Sequence, residues 1–184
     1  VKRKVLLLGD VSARKTELLR HAVYDGLADV WRDSLGAKVM TRHESMALED
    51  RSVGFHVVFV LYDIAGHRLA NKDLLRGYFR GARSILAICD LARDRSVEEL
   101  GYWLSVAEWI LGKRSVVIVA RGRTALDPLP ISESRLRELA AKHEAVVVTI
   151  PPGESHRLEH MFHGLGAEVV HEVFGTERSP PMYV

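Results

Sequence analysis

Lys4-Val5-Leu6-Leu7-Leu8-Gly9-Asp10-Val11-Ser12-Ala13-Arg14-Lys15-Thr16 opens the chain on an apolar run, a glycine, a polar loop and a Lys-Thr pair. Glu17-Leu18-Leu19 then begins an amphipathic pattern. Strand, turn and helix start, in that order, are the setting of a phosphate-binding P-loop, whose template is G-x-x-x-x-G-K-[ST]. Here it reads Gly9-x-x-x-x-Arg14-Lys15-Thr16, with arginine at the second glycine. Such a loop works because successive backbone N–H groups, here those of Gly9, Asp10, Ser12, Ala13 and Arg14, face the phosphate beside a helix N-terminus. Lys15 would reach the outer phosphates as a point charge, and the Thr16 hydroxyl would ligate Mg2+. Arg14 leaves two alternatives: its Cβ strains the loop, or its guanidinium adds a phosphate contact.

Working outward, apolar runs alternate with helical patterns. Strands are expected at Lys4–Leu8, Ala37–Glu49, His56–Tyr62, Ser84–Cys89, Val116–Ala120 and Ala145–Ile150. Ala37–Glu49 reads as an edge strand, joined to His56–Tyr62 through a loop at Asp50–Gly54. Asp29–Gly36 reads as a polar connection. Helices are expected at Thr16–Leu27, Lys72–Arg80, Ser96–Leu111, Ser132–His143 and Ser155–Phe174. Ser96 and Glu99 read as a capping box, and Gly112 suits the end of that helix. On the last helix Leu158, Met161, Phe162, Leu165, Val169 and Val173 are expected to face the core. The alternation predicts an α/β fold with a mostly parallel sheet, right-handed crossovers and ligand sites beyond the strands' carboxyl ends.

Composition narrows the function classes. With 184 residues, 47% apolar and 27% charged, the expectation is one globular domain over 1–175 and a flexible tail over 176–184. A net charge of +2 is too balanced to argue for a nucleic-acid surface, and no nucleic-acid partner is expected. A lone cysteine, Cys89, lies in an apolar run, so no disulfide framework exists and a cytoplasmic location is expected. No apolar stretch approaches a membrane span, and Pro181-Met182-Tyr183-Val184 carries no cysteine for prenylation, so no direct membrane anchor is expected in this chain.

A second motif supports the first. Asp63 ends an apolar strand and precedes Ala65-Gly66-His67. An aspartate there can hold the Mg2+ hydration shell, the Gly66 N–H can sense a terminal phosphate, and His67 can orient an attacking water. His156, His160, His163 and His171 form a stripe on the last helix, read as a solvated face rather than a metal site.

These segments together resemble the Ras-like small GTPases. Asp63-Ile64-Ala65-Gly66-His67 is similar to the family's D-x-A-G-Q, and Arg76-Gly77-Tyr78-Phe79-Arg80-Gly81-Ala82 to its Y-Y-R-G-A segment. Ser84–Asp90 with Leu91 resembles its fourth strand and Ser96–Leu111 the helix after it. Ser34-Leu35-Gly36 is similar to the switch-one T-I-G, which makes Ser34 a candidate for Mg2+ alongside Thr16 and Asp63. The resemblance runs over roughly residues 3–174. It implies a six-stranded Ras-like P-loop fold with one antiparallel hairpin strand, GTP or GDP with Mg2+ as ligand, and regulatory or effector proteins as partners.

The departures gather where the family reads the base. Its N-K-x-D after the fifth strand is replaced by Arg121-Gly122-Arg123-Thr124, so Thr124 stands where a carboxylate would accept the guanine N–H groups. Thr149-Ile150-Pro151 stands at the family's S-A-K loop. Arg121, Gly122, Thr124 and Ile150 are therefore the candidate base-binding positions, with guanine selectivity unsupported by their chemistry. The expectation is a molecular switch with weak or altered guanine recognition and slow GTP hydrolysis. The alternative is a pseudo-GTPase that binds no nucleotide and serves as an interaction module.

Overall fold

A computed structural model describes residues 1–10, 13–23, 32–34, 37–48, 51–64, 72–122 and 133–175. Its elements run β1 (Lys2–Leu8), α1 (Lys15–Val23), β2 (Arg32–Ser34), β3 (Ala37–Leu48), β4 (Arg51–Ile64), α2 (Lys72–Phe79), β5 (Ser84–Asp90), α3 (Asp94–Leu111), β6 (Ser115–Arg121), α4 (Glu133–Lys142), β7 (Val146–Ile150) and α5 (His156–Phe174). Among the described residues no helix is long and apolar enough to cross a membrane.

The unbroken apolar run of β1 follows from cover on both faces. Val5 and Leu7 enter a core shared with α1 and α5, while Leu6 and Leu8 enter one shared with α2, α3 and α4. None of the four is more than 1% exposed. Each contributes roughly 1.5–3 kcal/mol of apolar burial. β5 is buried along its whole length for the same reason.

The sheet order is β2-β3-β4-β1-β5-β6-β7. The pairs β4–β1, β1–β5, β5–β6 and β6–β7 are parallel, and β3 is antiparallel to both β2 and β4. Six long strands with one running against the rest match the expected Ras-like α/β architecture. A seventh, three-residue strand joins the edge, where a polar connection was expected. Arg32, Asp33 and Ser34 pair with Val39, Lys38 and Ala37, and backbone pairing at an edge places no demand on polar side chains. β4 likewise starts earlier than its apolar core, at Arg51 paired with Leu48, so the loop expected at Asp50–Gly54 is mostly strand.

Two further expectations are corrected. α3 begins at Asp94 with no side-chain cap. Ser96 lies inside it, and its Oγ accepts the Asp90 backbone N–H at 3.0 Å, so the hydroxyl ties the helix to β5 and no capping box forms with Glu99. Gly112 does end the helix, its N–H donating to the Glu108 carbonyl at φ +68. On α5, Val173 is 48% exposed while Val169 and Val170 are buried: position 173 follows Val169 by one turn on the same side, but it falls in the last turn of the helix, past the end of the core.

The parallel strands deliver Gly9, Asp63, Asp90, Arg121 and Ile150 to one edge of the sheet. That is the edge at which open α/β sheets bind ligands.

Candidate functional site

The loop after β1 owes its path to two unusual backbone positions. Gly9 has φ +138, and a Cβ there would stand 2.2 Å from the Ile88 carbonyl oxygen of β5. Only glycine lets the loop leave β1 so close to its neighbour. Ala13 N–H then donates to Asp10 O at 3.2 Å, turning the chain. Arg14 follows with φ +48, a left-handed conformation uncommon outside glycine. Its carbonyl accepts the Leu18 N–H at 3.0 Å, the first bond of α1.

The Arg14 side chain points outward, 54% exposed, with its Nη1 3.4 Å from Glu17 Oε2. Lys15 turns the other way. It is 5% exposed, and its Nζ donates to the carbonyls of Gly9 at 2.8 Å and Asp10 at 3.3 Å. Burial lowers the lysine's pKa, while the negative charges of Asp63 and Asp10 hold it up. Asp63, near the end of β4, is itself 6% exposed and stands in register with Leu7 of β1 and Lys38 of β3. The structure thus brings Gly9, Asp10, Ala13, Arg14, Lys15 and Asp63 together, with the buried cation held by backbone carbonyls and the field of two carboxylates.

Thr16 is the second residue of α1 and Ser34 the last of β2. Their side chains lie outside what the structure describes. Ser12, Gly66, His67 and Thr124 lie outside the described residues.

Beside the loop a cavity of about 510 Å³ opens among Arg14, Arg93, Arg121, Gly122, Pro151 and Ser155. It lies beyond β1, β5, β6 and β7 and brings the candidate base positions Arg121, Gly122 and Ile150 to one wall. The Gly122 N–H donates to the Ile150 carbonyl at 2.7 Å. A Cβ on Gly122 would meet Pro151 Cα at 2.9 Å and Ile150 O at 3.0 Å, so the family's lysine has no room here. Asp90 closes β5 with its carboxylate engaged: Oδ1 accepts the Ala92 N–H at 2.9 Å, and Oδ2 is 3.8 Å from Arg93 Nε. Arg93 and Asp90 escaped notice as pocket residues in the sequence. The available signal was an acidic residue ending a buried strand three positions before an arginine.

A cavity of similar size, about 480 Å³, lies at the opposite edge among Arg83, Lys113, His143 and Glu172. None of the candidate residues lines it. The histidine stripe gathers no metal site: among the described residues no three His, Cys, Asp or Glu side chains are grouped to hold an ion. His163 instead lies 3.6 Å from Glu44 of β3.

A mostly parallel sheet with a lysine-bearing loop after its central strand and an aspartate near the end of the neighbouring strand is the arrangement expected of a Ras-like P-loop fold. A family model described as "Ras of Complex, Roc, domain of DAPkinase" matches residues 4–123. Two relatives from Arabidopsis thaliana are each 26% identical. The Ras-related protein RABF2a matches over 125 residues, 68% of this chain and 58% of its own. The Ras-related protein RABF2b matches over 136 residues, 69% of this chain and 64% of its own. This chain therefore spans about three-fifths of the length of those relatives. The chain belongs to the Ras-like small GTPase family, through its Roc domain.

Proposed function

We propose that the chain is a nucleotide-dependent molecular switch that binds GTP or GDP with Mg2+, reads guanine weakly or in an altered way, and hydrolyses GTP slowly. The observation that carries this is Lys15. A charged amine held at 5% exposure is costly unless partnered. Here the loop's own carbonyls and the field of Asp63 and Asp10 keep it in place, at the edge where an anionic ligand would arrive.

The residues present fit a nucleotide–Mg2+ complex. The loop from Gly9 to Arg14 would present backbone N–H groups to the phosphates, and Lys15 would grip the outer ones. Thr16, Ser34 and Asp63 would hold Mg2+, which when bound neutralises the charge of the outer phosphates. His67 would orient the attacking water and Gly66 would sense the terminal phosphate. A histidine in place of the family's glutamine, together with the left-handed Arg14, supports slow turnover. Segments around Ser34 and Gly66 would rearrange with nucleotide state and be recognised by regulatory or effector proteins. The lone buried cysteine supports a cytoplasmic setting.

Calorimetric titration with GTP, GDP and ATP in the presence and absence of Mg2+ tests this reading. Mg2+-dependent heat with GTP and GDP, abolished by Lys15→Ala, is the expected result; no heat with any nucleotide would sink it.

A second reading is favoured by Gly122, where the family's lysine, whose stem covers the base, is sterically excluded. In it the chain is a pseudo-GTPase that serves as an interaction module without nucleotide. It predicts that partner binding survives Lys15→Ala, and it loses its basis if partner and nucleotide are lost together.

A further inference from the structure

The cavity beside the phosphate loop is lined by three guanidinium groups, those of Arg14, Arg93 and Arg121. Arg14 has Glu17 as an exposed neighbour at 3.4 Å, and Arg93 lies 3.8 Å from Asp90. Asp90 Oδ1 accepts the Ala92 N–H, and Oδ2 lies 3.8 Å from Arg93 Nε. Arg121 differs. It ends β6 on the cavity wall, partly buried, and among the described residues its guanidinium has no ion-pair partner. Its backbone is engaged in the sheet, paired with Asp90 and Ile150, and its carbonyl accepts the Leu91 N–H at 3.1 Å. Next to it Gly122 leaves no side chain to compete for the same space, since Pro151 and Ile150 fill the position.

A planar base entering this cavity meets a fork of N–H donors. Guanine carries two adjacent acceptors, O6 and N7, on one edge, and arginine's fork matches that pair in a bidentate fashion. Adenine places an amino donor beside its N7, so the same fork meets a donor there. The opposite edge of guanine, with its N1–H and N2 amino donors, is the edge a carboxylate would read.

We propose that Arg121 recognises guanine through its O6/N7 edge, replacing readout of the N1–H and N2 amino edge by a carboxylate. This inference rests on the nucleotide-switch reading and names how that site selects its base. It changes which atoms of the base matter: N7 becomes essential, and the N2 amino group becomes dispensable.

The test is a set of Mg2+-supported binding titrations of the wild-type chain with four probes: GTP, ITP, 7-deaza-GTP and ATP. ITP lacks the N2 amino group but keeps O6 and N7, and is expected to bind within about threefold of GTP. 7-Deaza-GTP lacks the N7 acceptor, and it and ATP are expected to bind about tenfold more weakly or worse. Arg121→Met is expected to remove the difference between GTP and 7-deaza-GTP while leaving thermal unfolding within a degree or so, about the effect of a surface change. ITP binding far more weakly than GTP would overturn the inference and point to a carboxylate reader. Four equal affinities would also overturn it, while leaving the switch reading in place. Failure of all four probes, GTP included, would remove the switch reading itself and this inference with it.

Discussion

Gly9 and the Ile88 carbonyl meet so closely that a β-carbon on the glycine would stand 2.2 Å from the oxygen. The contact joins the end of β1 to β5 just where the phosphate loop departs. Loop position and sheet packing are therefore one constraint, and a substitution here disturbs both.

Gly9→Ala is expected to lower stability by about 2–4 kcal/mol, from a φ of +138 that side chains rarely adopt and a collision with backbone that has no room to retreat. Gly77 serves as the control, since nothing lies within 4 Å of a Cβ there. In α2, Gly77→Ala is expected to gain about 0.5–1 kcal/mol of helix propensity. Urea unfolding of the two variants gives the comparison, and equal losses would mean the Ile88 contact is unimportant.

Arg14 sits at φ +48 with an exposed ion pair to Glu17. The left-handed conformation costs roughly 1–2 kcal/mol. Glycine removes that cost but makes the unfolded chain more flexible by about 0.4–1 kcal/mol. Losing the exposed pair costs about 0.5 kcal/mol more. Arg14→Gly is thus expected to leave stability within about 1 kcal/mol of wild type. Arg14→Val, β-branched at the same φ, is expected to lose about 1 kcal/mol. A larger loss for glycine than for valine in urea midpoints would contradict this.

Burial, with a smaller contribution from Asp90, pushes the Cys89 thiol up to about 12 from an ordinary 9.0. Between those values the native chain keeps a proton that the unfolded chain releases, so stability falls as pH rises through that window. The wild type should lose more stability than Cys89→Ala between pH 9 and 12. In the folded protein Cys89 should resist alkylation at mildly alkaline pH, as thiolate is the reactive form. Rapid labelling without unfolding would refute it.

His143 bridges the α4–β7 turn to α3. Its side chain is 4% exposed, with Nδ1 3.2 Å from Glu108 Oε2, and its Nε2 is buried with no hydrogen-bond partner among the described residues. Burial lowers its pKa from 6.5, against the raising effect of Glu108 and with some help from Lys142. Below 6.5 the unfolded chain takes up a proton that the native histidine refuses, so stability falls as pH falls. Chemical unfolding from pH 7.5 down to pH 5 should show a steeper decline for wild type than for His143→Gln, and parallel slopes would count against it.

Most of the frame was legible in the residues. Leu6, Leu86, Val119 and Phe162 sit in continuous or periodic apolar patterns, and burial enforces those patterns directly. Arg32–Ser34 was illegible because an edge pairing satisfies backbone groups and leaves no apolar signature. The role of Ser96 misled for a related reason: its hydroxyl serves the Asp90 N–H across a turn, a choice that local sequence does not record. The positions of Lys15 at the start of α1 and of Asp63 near the end of β4 were readable from the apolar runs before them. The crowding at Gly122 was not, since it depends on where Pro151 of a distant segment passes.

Gly122 also bears on the order in which changes to this chain could accumulate. A lysine there meets backbone atoms of Pro151 and Ile150, at 2.9 and 3.0 Å from its first carbon, and backbone does not rotate aside. No single substitution leads back to the family's base-covering side chain. The segment leaving β7 has to shift first, so a return to lysine at this position takes at least two coordinated changes.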